Sequence, residues 1–403
     1  MTHNMRIFLT LLVPIVLLSG CWDKRELTDI AFVAAIGVDK AEDGGFIGTF
    51  QIINPGNVAG GLQGGSGQDS STVTVYEIYG DNLTEVSRQA ASEISRVLFY
   101  SHANLVVIGE ELAKEKGIAS FLDALDRDDR FRDTARVVIA KDTSANNLLK
   151  VSSPIDKIPA NKITKTLEFS EQQWGEQWPV NIRELLNALS ADGREAIIPS
   201  FKYFGSVEEG ERMENLQSTA PETVLKADSI AVFKKDKLIG YLHGEEAMGM
   251  AWIMSNIHET TIGIDWEEEK KPISFQVISE KTKVKVAMKN GKPTVFINIV
   301  ARGELGEVNI PVNIEDYHVR KEIAEKAMRR IKEIVQSTIT KSKEYQTDIF
   351  GIGEKLYQND PDSWKKLKED WNEEHYPELE AVVKVDVSIS RTGLRKNPFT
   401  YEK

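Results

Sequence analysis

A single cysteine, Cys21, sits directly behind a twelve-residue apolar run at 7–18 that follows one basic residue, Arg6. This placement constrains the fold more than any other feature. With one thiol in 403 residues no internal disulfide and no Cys-based metal cluster can form. The apolar run is too short for a helix of ~20 residues to cross a ~30 Å hydrocarbon core, and it has the anatomy of a signal peptide. The mature chain is therefore expected to be exported and to stand on its hydrophobic cores alone, which its length permits.

Directly before the thiol the chain reads Leu18-Ser19-Gly20-Cys21, a sequence that resembles the bacterial lipobox. Small residues ahead of the cysteine suit a lipoprotein signal peptidase, and the thiol is the nucleophile that takes up diacylglycerol. The expectation is cleavage between Gly20 and Cys21, leaving Cys21 S-diacylated and N-acylated as the first mature residue. Two chains at ~0.8 kcal/mol per buried methylene make a stable anchor where one would not. The formal net charge of −12 works against broad binding to nucleic acid or anionic lipid, so the hold on a membrane should be hydrophobic.

The mature chain reads as a multi-domain α+β or mixed α/β protein, with mixed and antiparallel sheets flanked by helices and no transmembrane domain. Residues 21–204 alternate strand and helix signals. Apolar 30–38, the turn Asp43-Gly44-Gly45 and 46–53 suggest a hairpin. Asn82 with Glu85 resembles a capping box. Strands follow at 72–79, 103–108 and 135–140, with helices at 118–125 and 182–189. Residues 55–71 hold six glycines and almost no bulky apolar side chain, which predicts a mobile loop. Residues 205–221 read as a linker, and 222–271 as a small middle hairpin-and-helix region. The C-terminal part, 272–403, predicts strands at 273–278, 281–288 and 293–302, an amphipathic helix over 321–341, a short helix at 364–371 and a last strand at 381–389. Ile323, Ala327, Met328, Ile331, Val335 and Ile339 mark the buried face of the long helix.

No pattern in the chain carries enzyme chemistry. His102, His243, His258, His318 and His375 are scattered, and none lies in an HExxH pair. His243-Gly244-Glu245-Glu246 reads as a solvated strand-to-helix turn. Gly64-Gly65-Ser66-Gly67 falls in the expected loop, where a catalytic serine would need a rigid elbow. In Asp126-Arg127-Asp128-Asp129-Arg130 an arginine stands where a calcium loop needs oxygen, so a self-neutralising surface is expected. Gly351-Ile352-Gly353 lacks the third glycine of a dinucleotide loop. Trp174 and Trp178 fit ordinary packing better than a sugar platform.

Past the lipobox the sequence runs Trp22-Asp23-Lys24-Arg25-Glu26-Leu27 and then Ala31-Phe32-Val33-Ala34-Ala35-Ile36-Gly37-Val38-Asp39. With Ser95-Arg96-Val97-Leu98-Phe99-Tyr100-Ser101-His102, Val107-Ile108-Gly109-Glu110-Glu111-Leu112-Ala113, Ile230–Gly240 and 385–393, it resembles the Ger(x)C family, the C subunits of spore germinant receptors in Bacillus and its relatives. The resemblance implies a non-enzymatic lipoprotein on the outer face of the inner spore membrane. It would act with an A subunit and a polytopic B subunit in nutrient-triggered germination, with no cofactor. Only Cys21 carries over as a functional residue. A solute-binding lipoprotein of an ABC-type importer is the alternative and would need two similar lobes. A wall-active hydrolase would need a constellation that the chain lacks.

Overall fold

The computed structural model describes residues 26–60, 71–391, 397–399 and 401. The apolar run at 7–18, Gly20, Cys21 and Gly64–Gly67 lie outside the described residues. Two sheets organise what is described.

The first half opens with β1 (Ile30–Lys40) and β2 (Phe46–Ile53), the antiparallel hairpin expected from the sequence. Gly44 takes φ +94°, and Asp43 Oδ1 accepts the Gly45 amide at 3.1 Å, the left-handed turn that Asp-Gly favours. Next comes a short helix, α1 (Pro55–Gly60), where the sequence predicted mobile loop. Pro55 presets the helical φ, and the Asn54 carbonyl accepts the Asn57 and Val58 amides at 3.0 and 3.3 Å. The expectation for 61–70 lies outside the described residues.

The chain continues through β3 (Val73–Gly80), α2 (Leu83–Glu93), β4 (Val97–Phe99), β5 (Leu105–Gly109), α3 (Glu110–Glu115), α4 (Ala119–Asp126) and β6 (Arg136–Ala140). Asn82 caps α2 by accepting the Glu85 amide at 3.0 Å, while Glu85 reaches back to the Asp81 amide at 3.1 Å, one residue beyond a true capping box. Then follow α5 (Ala145–Lys150), α6 (Pro159–Gln173), β7 (Val180–Asn181), α7 (Ile182–Ser190) and β8 (Ile197–Phe204). The fifteen-residue α6 escaped the sequence reading: proline begins it, and only Pro159, Ala160, Ile163 and Leu167 are buried, too narrow a stripe to stand out.

Residues 205–221 are a packed connection carrying α8 (Val207–Gly210) and α9 (Met213–Gln217), where the sequence suggested a linker. Asn215 Nδ2 donates to Ser152 O and Thr223 O at 2.9 and 3.0 Å. The hairpin β9 (Val224–Lys234) and β10 (Lys237–His243), expected as part of a separate middle region, hydrogen-bonds to β8 and forms one end of the first sheet. That sheet runs β10-β9-β8-β6-β5-β1-β2-β3, with β4 and β7 attached to β1 and β6. Its centre, β1-β5-β6-β8, is parallel. Every residue of β5 is buried, as strands covered on both faces require. Val106 and Ile108 pack with Phe121, Leu122 and Leu185, and Leu105 and Val107 with Leu148, Ile163 and Leu167 on the opposite face.

After α10 (Glu245–Ile253) comes the second sheet, β11 (Thr260–Trp266), β12 (Glu269–Lys289), β13 (Lys292–Val308) and β14 (Glu380–Arg391), in that order. The strands expected at 273–278 and 281–288 are one strand, β12, whose register shifts between Val277 and Ser279. A bulge bends a strand without ending it. Asn290 and Gly291 turn with φ +52° and +77° as expected. The parallel pair β13–β14 is joined through α11 (Tyr317–Glu344), α12 (Ile352–Asn359), α13 (Pro361–Leu367) and a π turn at Trp371–His375. The expected face of α11 is buried, with Met328 half-buried. No helix among the described residues is long and apolar enough to cross a membrane.

One core joins the halves: Ile197, Ile230, Val232 and Leu242 of the first sheet cluster with Trp252, Phe275 and Ile331. The sheets differ in strand number and order, unlike the two similar lobes that an importer's binding protein would need.

Candidate functional site

Two of the sequence blocks, 31–39 and 107–113, meet at the carboxyl ends of the central parallel strands, where open α/β sheets usually hold ligands. Near the end of β1 stands Asp39, whose Oδ1 and Oδ2 accept the Ala145 and Asn146 amides at 2.9 and 3.2 Å and so cap α5 from another element. Burial pushes this carboxyl up to about 6 despite those two bonds. Gly109, at the end of β5, has no room for a side chain: a Cβ would stand 2.1 Å from Asp39 Oδ1. Glu110, next in the chain, accepts the Asp142 amide at 2.7 Å.

Beside them lies a charged cluster that the sequence reading did not single out. Asp228 Oδ2 meets Lys141 Nζ at 2.6 Å, and its Oδ1 meets Lys202 Nζ at 2.6 Å. Burial would raise the Asp228 pKa, but the two lysines outweigh it and hold it at about 2. The Tyr241 ring covers Lys141 Nζ at 4.5 Å, and Ser200 and Ser229 hydroxyls bond at 2.7 Å. His243 Nδ1 stands 3.9 Å from Asp228, and burial followed by the Lys141 charge lowers its pKa. Lys141, Lys202 and Asp228 are committed to one another, so the cluster ties β6, β8, β9 and β10 together, with the His243 imidazole at its exposed rim. The signal that could have found it is three charges within or directly after largely apolar strands.

The remaining candidates also resolve into structure. Gly244, φ +48°, starts α10; Glu246 accepts the His243 amide at 3.3 Å, and Glu245 pairs with Arg330 and Lys271. Arg127 bonds Asp123 at 2.8 and 3.0 Å, and Arg130 bonds Asp128 at 2.9 and 2.7 Å. Gly353 packs where a Cβ would stand 2.7 Å from the Trp364 ring. No group of three His, Cys, Asp or Glu among the described residues could hold a metal ion. The tryptophans part company. Trp178 packs against two cores, whereas Trp174 is 48% exposed in a shallow groove of about 550 Å³ with Ile155 and Phe169.

A half-open cleft of about 1010 Å³ lies beside α2 and α4. Ile36, Phe50, Val86 and Phe121 line it, and Arg88 and Arg96 stand among its polar residues. The block 95–102 forms one wall: Tyr100 bonds Ser87 Oγ at 3.0 Å, and the Arg130 guanidinium lies 5.5 Å from its ring. β4 borders the cleft and pairs in parallel with Ile30–Phe32, so the cleft lies where the described chain begins.

Two family models together span most of the chain. Residues 23–203 match the family model of the spore germination protein N-terminal domain, and residues 228–393 that of the spore germination B3/GerAC-like C-terminal domain. The chain is 42% identical over 393 residues to spore germination protein KC of Bacillus subtilis (strain 168), covering 97% of each. It is 23% identical over 371 residues to spore germination protein B3 of the same organism, covering 88% of this chain and 90% of that protein. Its fold resembles the crystal structure of the GerBC protein, with a TM-score of 0.56 at 19% identity over 88% of this chain and 96% of that one. On this full-length kinship the chain belongs to the Ger(x)C family of spore germination proteins, the C subunits of germinant receptors.

Proposed function

We propose that this protein is a lipid-anchored, non-enzymatic C subunit that assembles with an A and a B subunit into a nutrient-responsive germinant receptor on the outer face of the inner spore membrane. The observation that carries the reading is the 42% identity along 97% of both chains to spore germination protein KC. Cys21, acylated after cleavage behind Gly20, supplies the anchor in this reading.

Affinity purification of the tagged chain from dormant-spore membranes tests the assembly. Recovery of an A and a polytopic B receptor subunit is the expected result, and recovery of importer components in their place would overturn it. Cys21→Ala tests the anchor: the variant should stay folded by circular dichroism and move from the membrane to the soluble fraction. Unchanged membrane association would refute the anchor.

A further inference from the structure

We propose that the end of the molecule formed by β4, the mouth of the arginine-bearing cleft and the start of β1 rests directly on a phospholipid surface. This rests on the anchor at Cys21. Five peptide steps separate Cys21 from Glu26, the first described residue. However those residues run, they span at most ~18 Å at ~3.6 Å per residue. Ile30 pairs with Val97, and neighbouring strands lie ~5 Å apart. β4 is therefore held within a short radius of the lipid headgroups.

The chemistry of this end suits that position. Val97 and Phe99, two apart on β4 and hence on one side of the strand, are 46% and 37% exposed. Phe99 meets Phe32 and His102 at ring separations of 5.9 and 5.6 Å, making an aromatic edge next to the chain start. Aromatic and branched apolar side chains are those that settle at the boundary between headgroups and acyl chains. Charge does not oppose the approach. Arg127 and Arg130 are taken by Asp123 and Asp128, while Arg88 and Arg96 form no ion pair among the described residues and share the lining with Asp29 and Asp129. The charged lining of the cleft, four arginines against three aspartates, sums to +1 in a chain of formal charge −12, and the Arg88 and Arg96 guanidiniums can take headgroup phosphates. A separate exposed apolar patch, Ile155, Phe169 and Trp174, is the control surface.

The sole cysteine makes the test direct. Unacylated mature chain, coupled through Cys21 to a maleimide lipid in phosphatidylcholine–phosphatidylglycerol vesicles, is compared by hydrogen exchange with the same chain capped by N-ethylmaleimide in solution. Amides of 95–102 should exchange about threefold or more slowly on the vesicle, and those of 162–174 should not change. Val97→Glu with Phe99→Glu should abolish the difference. Unchanged exchange at 95–102, or protection at 162–174 instead, would overturn the proposal. So would protection that appears only when receptor A and B subunits are co-reconstituted, which would make the surface a protein contact. Mass spectrometry of the Cys21 peptide from spore membranes is a separate measurement. An unmodified thiol there would refute the anchor whatever the vesicles show.

Discussion

At the residue scale, the block Ile36-Gly37-Val38-Asp39 and the glycine of Val107-Ile108-Gly109 form one device. Asp39 is pinned by two backbone amides, so it cannot step aside for a side chain at position 109. Gly109→Ala, with its Cβ 2.1 Å from the carboxylate, should cost about 2 kcal/mol or more in a urea melt. Asp39 also links stability to pH. Its folded pKa of about 6 lies above the ordinary 3.8, so between those values the native state holds more protons than the unfolded chain. Stability then falls as pH rises from 4 to 6, by up to about 2–3 kcal/mol from this group. Asp348, buried and also raised to about 6, adds to the same slope. Urea melts at pH 4, 5, 6 and 7 should show a shallower fall for Asp39→Asn than for the parent chain. Equal slopes would mean that Asp39 does not titrate in that window. The sequence showed this aspartate and glycine as parts of a recognisable block. It could not show that they touch, because 70 residues and a parallel crossover separate them.

At the element scale, legibility followed the width of the apolar stripe. The face of α11 was readable because Ile323, Ala327, Ile331, Val335 and Ile339 recur over a 28-residue helix. α6 was not, since its buried stripe is thin and it lies in a proline-punctuated stretch. That contrast gives a paired prediction. Ile163, fully buried on α6 between the first sheet and its covering helices, should lose about 2–4 kcal/mol of stability on replacement by alanine. Phe169, six residues along and 54% exposed, should lose less than about 0.5 kcal/mol. Chemical denaturation of both variants checks this, and equal losses would mean that α6 does not pack as described. The bulge in β12 shows the opposite fault of pattern reading: polar Ser279 and Glu280 suggested a break between strands, yet both pair across to β13.

At the scale of the whole molecule, the boundary that composition suggests near 205–221 is not a boundary in the packing. β9 and β10 follow that stretch in sequence and return to hydrogen-bond with β8. Side chains of β8, β9 and β10 then enter the same core as α10, α11 and the second sheet. Polar bonds cross the same seam: the Glu195 amide donates to Asp348 O at 2.9 Å, Asn372 Nδ2 to Glu195 Oε1 at 2.6 Å, and Thr347 Oγ1 to Phe233 O at 2.9 Å. A fragment ending at residue 221 would expose the β8 edge and the apolar residues that β9 covers, and the remainder would lose the partner strand of β9. Neither half should fold alone, and the parent chain should unfold in one transition. Near-UV circular dichroism of a 22–221 fragment decides the matter. A fixed aromatic signal with a cooperative melt would show that the first sheet closes without the hairpin. A signal that appears only when the complementary 222–403 fragment is added would place the folding unit across both sheets.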